Sequence, residues 1–311
     1  METVAEEIVV GTSLWRDAWK RLLRNKLAVF GMLVVLAILV LTTIGPPIIY
    51  ATTGYTYDYT PSNPDLIKSM PPFRGPDGGF AWTHWMGTDN AGRDLFARVL
   101  LGGRISLAVG VISTIVSLII GIAYGATAGY LGGRADEVMM RTVDVLYSLP
   151  YMMVIIVLLA FFGQQSPLGQ LFLLFAALGA VSWLTMARIV RGQVISLKNQ
   201  EFVLAARATG VRPWRIILRH LVPNTLGPVI VYATLTVPSV MLLEAFLSFL
   251  GLGVQAPLAS WGSLTAEGIQ NIAIFPWQVI CPGATMALTL FSLNFLGDGL
   301  RDALDPQMRR S

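Results

Sequence analysis

Ile105-Ser-Leu-Ala-Val-Gly-Val-Ile-Ser-Thr-Ile-Val-Ser-Leu-Ile-Ile-Gly-Ile-Ala-Tyr-Gly-Ala-Thr-Ala-Gly129 carries no charged side chain from end to end. A helix rises about 1.5 Å per residue, and roughly twenty apolar residues cross the hydrocarbon core of a bilayer. This run is long enough to span. Five more runs flank it: Leu27–Tyr50, Thr142–Phe162, Leu168–Val190, Val222–Leu243 and Val279–Leu296. Water is absent at that depth, so each lipid-facing span must satisfy its backbone internally, as a helix does. The sequence therefore predicts an all-α polytopic membrane protein with about six transmembrane helices.

The composition agrees. Of 311 residues, 54% are hydrophobic and 13% are charged, against about 25% charged in soluble domains. Mean hydropathy is +0.64. The net charge of +4 is small for a nucleic-acid binder, and the basic residues sit beside apolar runs, so no nucleic-acid partner is expected and the charge reads as membrane orientation. The lone Cys281 excludes an internal disulfide and any multi-cysteine metal site; it reads as a small buried hydrophobe. No cleavable signal peptide is expected, because the first 26 residues lack a long apolar core.

Seventeen of the 22 basic residues fall on one side of the six runs. They include Arg16, Lys20, Arg21, Arg24 and Lys26 before the first run, and Arg188, Arg191, Lys198, Arg207, Arg212, Arg215 and Arg219 around the fourth-to-fifth connection. The positive-inside rule puts that side, with both termini, in the cytoplasm. The expected organisation is a cytoplasmic segment 1–26, a first helix 27–50, an extracytoplasmic loop 51–104, a five-helix core 105–298 and a cytoplasmic tail 299–311. Within the long loop, a short amphipathic helix is expected around Asp94 to Leu101.

The most informative connection runs Asn199-Gln-Glu-Phe-Val-Leu-Ala-Ala-Arg-Ala-Thr-Gly-Val-Arg-Pro-Trp-Arg-Ile-Ile-Leu-Arg-His-Leu-Val-Pro-Asn224. Asn199 suits an N-cap and Glu201 the positive end of a helix. Gly210 ends that helix, and Pro213 fits the first turn of a second. Trp214, Ile217, Leu218 and Leu221 are expected on one face of the second helix, and Pro223 at the start of the fifth span. Ala205, Ala206, Ala208 and Gly210 give the loop a small-residue surface that lets a partner approach closely. The alternative is an amphipathic loop resting on lipid headgroups.

The spacing of Glu201, Ala205, Ala206 and Gly210, with Leu221 and Pro223 about ten residues on, resembles the EAA loop of ABC importer permeases. The variant Glu-Phe-Val-Leu-Ala-Ala-Arg-Ala-Thr-Gly, which includes Arg207, resembles the dipeptide and oligopeptide branch. Met86-Gly-Thr-Asp-Asn-Ala-Gly-Arg-Asp94, Glu244-Ala-Phe-Leu-Ser-Phe-Leu-Gly-Leu-Gly253 and Gly297-Asp-Gly-Leu-Arg-Asp-Ala-Leu-Asp-Pro306 resemble the same branch. The likeness covers about residues 15–308. It implies the type I importer permease fold and half of a translocation pathway. It implies a second homologous permease subunit, two ATP-binding cassette subunits, an extracytoplasmic substrate-binding protein, a peptide substrate and surrounding lipid. The loop 199–224 would couple to the ATPases. Relatives of this branch also carry nickel chelates or oligosaccharides.

Other candidate sites have competing readings. Glu244 is either a substrate contact in the pathway or a carboxylate held by Ser248 and backbone groups. Asp144 is expected to pair with Arg141, and Asp298, Arg301 and Asp302 to form an interfacial set. Asp89, Arg93 and Asp94 read as a turn and helix start, or as a docking point. His84 and His220 are too far apart in topology to share a catalytic or metal site. Trp82, Trp85, Trp261 and Trp277 read as an interfacial aromatic belt. None of the four lysines follows a glycine, so no Gly-Lys-Ser/Thr phosphate loop exists. ATP and Mg would be bound by partner subunits, and this chain needs no cofactor and is not an enzyme by itself. An ion-coupled transporter would need mid-membrane acids and inverted repeats, and a membrane enzyme a polar catalytic cluster. The sequence shows neither.

Overall fold

The computed structural model describes residues 14–54, 56–61, 69–75, 79–82, 84–162 and 166–304. Its elements in chain order are α1 (Leu14–Arg24), α2 (Lys26–Thr53), α3 (Leu95–Leu131), α4 (Gly133–Ser148), α5 (Tyr151–Phe162) and α6 (Pro167–Leu197). Then come α7 (Glu201–Ala208), α8 (Pro213–Ile216), a π-helical turn (Ile217–Leu221), α9 (Val222–Phe249), α10 (Trp261–Ile269) and α11 (Trp277–Leu304). Among the described residues the only β pairing is two isolated bridges, Arg74 with Phe80 and Thr88 with Asp94.

Local chemistry sets the helix ends. The Asn25 side chain accepts from the amides of Leu27 and Ala28 and starts α2, which stops at Gly54 with φ +72°. The Asp94 side chain accepts from the Ala97 amide at 2.8 Å and starts α3. The short amphipathic helix expected at Asp94–Leu101 is thus the first two turns of α3 itself, which runs on through Gly102 and Gly103 without a break. At 37 residues, α3 is about 55 Å long and must project beyond the hydrocarbon core.

Five helices are long and apolar enough to cross a membrane: α2, α3, α6, the continuous rod Pro213–Phe249, and α11. The third apolar run is not the single span expected at Thr142–Phe162. It is two helices, α4 and α5, bent by 75°. Pro150 is the cause. Leu149 precedes it and is forced out of the helical region, at φ −73° and ψ 141°. The fifth run also differs, because the helix already begins at Pro213 and Pro223 lies inside the rod rather than opening it.

The core is built on α3 and α6, the most extensively packed helix pair. Gly121, Gly125 and Gly129 recur every four residues along α3 and face α6. A Cβ built on Gly121 would lie 2.6 Å from the Met186 side chain, one on Gly129 2.9 Å from the Arg191 carbonyl, and one on Gly125 would fall on the Ala187 carbonyl. This is the small-residue spacing by which membrane helices bring their backbones together. In turn, Gly179 of α6 admits Val116 and the Ser113 carbonyl of α3. Above and below this seam, α9, α10 and α11 close the bundle, while α1 and α2 pack on α11.

Replacing Gly125 with Val is expected to cost at least about 1–3 kcal/mol through overpacking. Gly192, with open space around it, is the control: Gly192→Ala should change stability by no more than about 1 kcal/mol, in the stabilising direction. Thermal unfolding of both variants in detergent, followed by size exclusion, checks the difference.

Candidate functional site

Three regions carry polar or exposed features that packing alone does not require. The first is the connection between α6 and α9. Here α7 is a two-turn helix whose inner side, Val203 and Ala206, is buried in a cluster with Val190, Val194, Ile216 and Leu221. Its outer side exposes Glu201, Phe202, Leu204, Ala205, Arg207 and Ala208. Gln200, not Asn199, takes the N-cap position, and no side-chain bond is made there. Gly210 follows with φ +75°, the conformation that reverses the chain. The Arg207 guanidinium lies 5.0 Å from the Tyr130 ring centre at the end of α3, and Lys198 donates to the Gly129 carbonyl at 2.9 Å. These contacts fix α7 to the core seam.

The structure therefore divides the sequence candidates of this loop. Glu201, Ala205, Arg207 and Gly210 are exposed, and so is Pro223 in the first turn of α9. Ala206 and Leu221 are buried in the bundle. The expected apolar face of the second helix also changes. Ile216 and Leu221 point inward, whereas Trp214 and Leu218 are more than half exposed. The π-helical turn shifts the register of the rod here, which a 3.6-residue period does not anticipate.

The second region is a cavity of about 390 Å³ between the α4–α5 break, α6 and α9. Tyr147, Tyr151, Ser182, Thr185, Tyr232, Thr236 and Ser239 supply its polar side chains, and no charged residue lines it. A charged cavity of about 740 Å³ adjoins α4, lined by Asp136, Glu137, Arg141, Asp144 and Arg191. Arg188 sits where they meet. Its guanidinium lies 4.4 Å from the centre of the Tyr147 ring and donates to Asp144 at 2.7 Å. One turn further on, Arg191 donates through Nε and Nη2 to the two carboxylate oxygens of Asp136, at 2.5 and 2.7 Å. The expected local pair of Asp144 with Arg141 does not form. Arg141 instead lies 3.5 Å from Glu137, one turn before it. Tertiary geometry overrides i,i+3 proximity because α6 brings two arginines against the polar face of α4.

The third region lies at the other end of α3. Arg98 is 2% exposed and bridges two carboxylates. Its Nη1 donates to Asp89 at 2.7 Å and to Glu267 at 2.8 Å, and Nη2 donates to Glu267 at 3.2 Å. Asp89 also accepts from Arg93 Nε at 2.7 Å and from the Ala91 and Arg93 amides. Asp89, Arg93 and Asp94 thus form a turn and a helix start, with His84 Nδ1 2.7 Å from Asp94. Glu244 belongs to the same end of the bundle. It is 1% exposed, and its Oε1 accepts from the hydroxyls of Ser248 and Ser260, both at 2.7 Å. Ser260 also begins α10 with a reciprocal cap to Ser263. Trp261 next to it is not at the interface, as the aromatic-belt reading had it. It is fully buried, with Nε1 donating to the Val99 carbonyl at 2.9 Å and its amide donating to Ser106 Oγ at 3.0 Å. Trp82 and Trp85 remain exposed. Asp298, Arg301 and Asp302 make no ion pair among the described residues, and no group of three or more potential metal ligands occurs there.

Residues 121–310 match the family model described as binding-protein-dependent transport system inner membrane component. Residues 13–72 match the N-terminal TM domain of oligopeptide transport permease C. The oligopeptide transport system permease protein OppC of Haemophilus influenzae is 46% identical over 99% of this chain and 95% of its own length. OppC of Bacillus subtilis is 42% identical over 96% and 91%. The dipeptide transport system permease protein DppC of Bacillus subtilis is 44% identical over 96% and 87%. Among solved structures, an inward-facing form of the MetNI methionine ABC transporter matches with a TM-score of 0.52 at 18% identity, over 67% of this chain and 96% of that one. That likeness speaks for the fold alone.

Breaking the Arg98 bridge is expected to be costly. Arg98→Met removes a buried guanidinium from two carboxylates and should lower stability by about 3 kcal/mol. Glu267 is half exposed, so Glu267→Gln should cost no more than about 1 kcal/mol. Thermal unfolding of each variant in detergent measures both.

Proposed function

The chain belongs to the binding-protein-dependent transport system inner membrane component family, and from that membership we propose that it forms one half of the membrane pathway of an ATP-driven importer for dipeptides or oligopeptides. The chain is a permease subunit and not an enzyme by itself. The observation that carries the coupling part of the reading is α7. Its inner side is anchored in the bundle through Val203 and Ala206, and its outer side leaves Phe202, Leu204, Ala205 and Ala208 exposed among the described residues. A rigidly held helix at the end of a membrane bundle that exposes apolar and small side chains between Glu201 and Arg207 suits a docking element. We assign its partner as one of two ATP-binding cassette subunits, which hold the ATP and Mg that this sequence has no phosphate loop to bind.

The cavity of about 390 Å³ is our candidate for this subunit's share of the pathway. Hydroxyls and tyrosine rings line it, so it offers hydrogen bonds to peptide amides and imposes no charge requirement on the side chains that pass. A second homologous permease would supply the opposite wall, and an extracytoplasmic binding protein would deliver the peptide. Glu244 lies outside this cavity. Its two hydroxyl partners support a structural role at the α9–α10 junction.

The distribution of basic residues supports both termini and α7 in the cytoplasm. With Cys281→Ala as background, a cysteine at exposed Gly79 and one at exposed Ala208 should react with an impermeant thiol reagent from opposite faces. Labelling of both from one face rejects the orientation.

Coupling has its own test. Gly210 has φ +75° and open space around it, so Gly210→Asp strains the turn by roughly 1–2 kcal/mol without a clash inside this chain. It should leave membrane insertion intact, weaken ATPase attachment and reduce uptake. Ala205→Glu, on the exposed side, should do the same by placing a charge in the docking contact. Ala206→Glu should be worse and act differently, by expelling α7 from its own core. Arg212→Ala is the control. Co-purification of the ATPase subunits with each variant, beside peptide uptake, decides the matter; full binding and uptake by both Gly210→Asp and Ala205→Glu removes α7 as the coupling element.

A further inference from the structure

We propose that the start of the rod Pro213–Phe249 and the adjoining face of α3 form a binding site for one anionic phospholipid. The site goes beyond the transport reading and stands whatever the cargo. An apolar groove of about 380 Å³ lies between them, lined by Ile119, Ile122, Ala123, Trp214, Ile217 and Leu218 among others, and no acid lines it. Three observations name the occupant. First, the groove continues an exposed stripe of α3, Val111, Ile112, Ile115 and Ile119, which recurs at helical spacing along a membrane-spanning segment. That stripe is acyl-chain surface, and the groove is its extension towards the α7 end. Second, Trp214 stands at the mouth, half exposed, where an indole joins apolar chain to polar headgroup. Third, a guanidinium stands at the mouth: Arg215 lies 5.2 Å from the Trp214 ring centre, and Arg212 and Arg219, close to it in sequence, are exposed as well. Arginine at that level matches a phosphate oxygen pair in shape and charge.

Helical spacing builds the site. Trp214 and Leu218, four residues apart, share the face of the rod beside α3 and are both more than half exposed. The buried pair Ile216 and Leu221 is five residues apart, across the π-helical turn Ile217–Leu221. The chain keeps two large apolar side chains exposed next to a cluster of arginines, at the junction between α7 and the rod. A bound lipid covers that apolar surface and neutralises the arginines.

The test uses the full-length chain in detergent micelles containing equal phosphatidylglycerol and phosphatidylcholine, with retained lipid counted by native mass spectrometry. The wild-type chain should retain one phosphatidylglycerol in preference to phosphatidylcholine. Arg215→Gln and Arg219→Gln should each reduce that preference about five-fold, the effect of one basic residue at an anionic lipid surface. Ala123→Phe fills the groove from an exposed position, leaves every arginine in place, and should abolish retention while the thermal unfolding temperature in phosphatidylcholine stays unchanged. Soluble glycerol phosphate in excess should not displace the lipid. Equal retention of the two lipids by the wild type overturns the proposal, as does an Ala123→Phe variant that still holds phosphatidylglycerol, or displacement by glycerol phosphate. A cysteine at Ile119 that cross-links to the second permease subunit in the assembled transporter also overturns it, because the groove would then be a protein interface. None of these results bears on ATPase attachment or uptake by the Gly210 variant, so the two readings fail separately.

Discussion

The backbones of α3 and α6 touch along Gly121, Gly125 and Gly129, and the rest of the bundle is arranged by that contact. Inside a bilayer the hydrophobic effect does not hold helices together, because lipid tails are as apolar as leucine. Close approach has to supply the attraction instead. A side chain at any of the three glycines would separate the two axes, and everything anchored on their shared end would shift. Lys198 reaches the Gly129 carbonyl from the end of α6, and Arg207 covers Tyr130 from α7. The position of α7 is thus tied to the end of the seam at Gly129.

Polar groups do the corresponding work where helices cannot interlock by size. The short α10 lies across the start of α3 and the end of α9, and three hydroxyls and one indole hold it: Ser106, Ser248, Ser260 and Trp261. On the far side of the same end, Arg98 ties the Asp89 turn to Glu267 of α10. By contrast, α4 has little apolar contact with α6 and is held by two ion pairs, at Asp136 and Asp144. The Arg188–Asp144 pair is largely exposed and therefore screened, and weak beside a packed glycine seam. α4 has a proline break at one end and Gly132 and Gly133, both at positive φ, at the other, and the Tyr124 hydroxyl of α3 donates to its Met139 carbonyl at 2.9 Å.

The spans were legible because their signal is simple: long uncharged runs have one solution in lipid. The glycine seam has a sequence signal too, in the four-residue spacing from Gly121 to Gly129, but hydropathy does not report it because it treats glycine as neutral filler. Pro150 was a visible breaker inside an apolar run, and the preceding-residue rule gives the bend once the run is not assumed to be straight. Other features were out of reach. Nothing local links Arg98 to Glu267, 169 residues away, and the apparent partner of Asp144 was the near arginine, not the one that α6 delivers. In the loop 199–224 the helix, the glycine turn and the second helix were readable from caps and breakers. Which alanine faces outward was not, since Ala205 and Ala206 are adjacent and only the bundle chooses between them.

The rod Pro213–Phe249 constrains how the two ends of the molecule can communicate. From Ile216 at the α7 junction to Tyr232 in the cavity wall is about 24 Å along one continuous helix. On the proposed reading, a displacement of α7 by a closing ATPase enters this rod at its foot and leaves it at Tyr232 and Thr236. A perfectly regular helix would transmit the movement as a rigid tilt. This one contains a π-helical turn at its foot and prolines at Pro228 and Pro238, each of which removes or lengthens backbone hydrogen bonds and lets the axis bend. The bend points bracket the cavity residue Tyr232, so the segment between them is able to change its tilt against α6 without moving the buried Glu244–Ser260 junction beyond Pro238. A ligand or nucleotide biases such an element only by binding its two tilts unequally. On the proposed reading the cavity wall supplies that inequality, because its hydroxyls and tyrosine rings are carried partly on the rod and partly on α6, so that a tilt of one against the other changes their spacing.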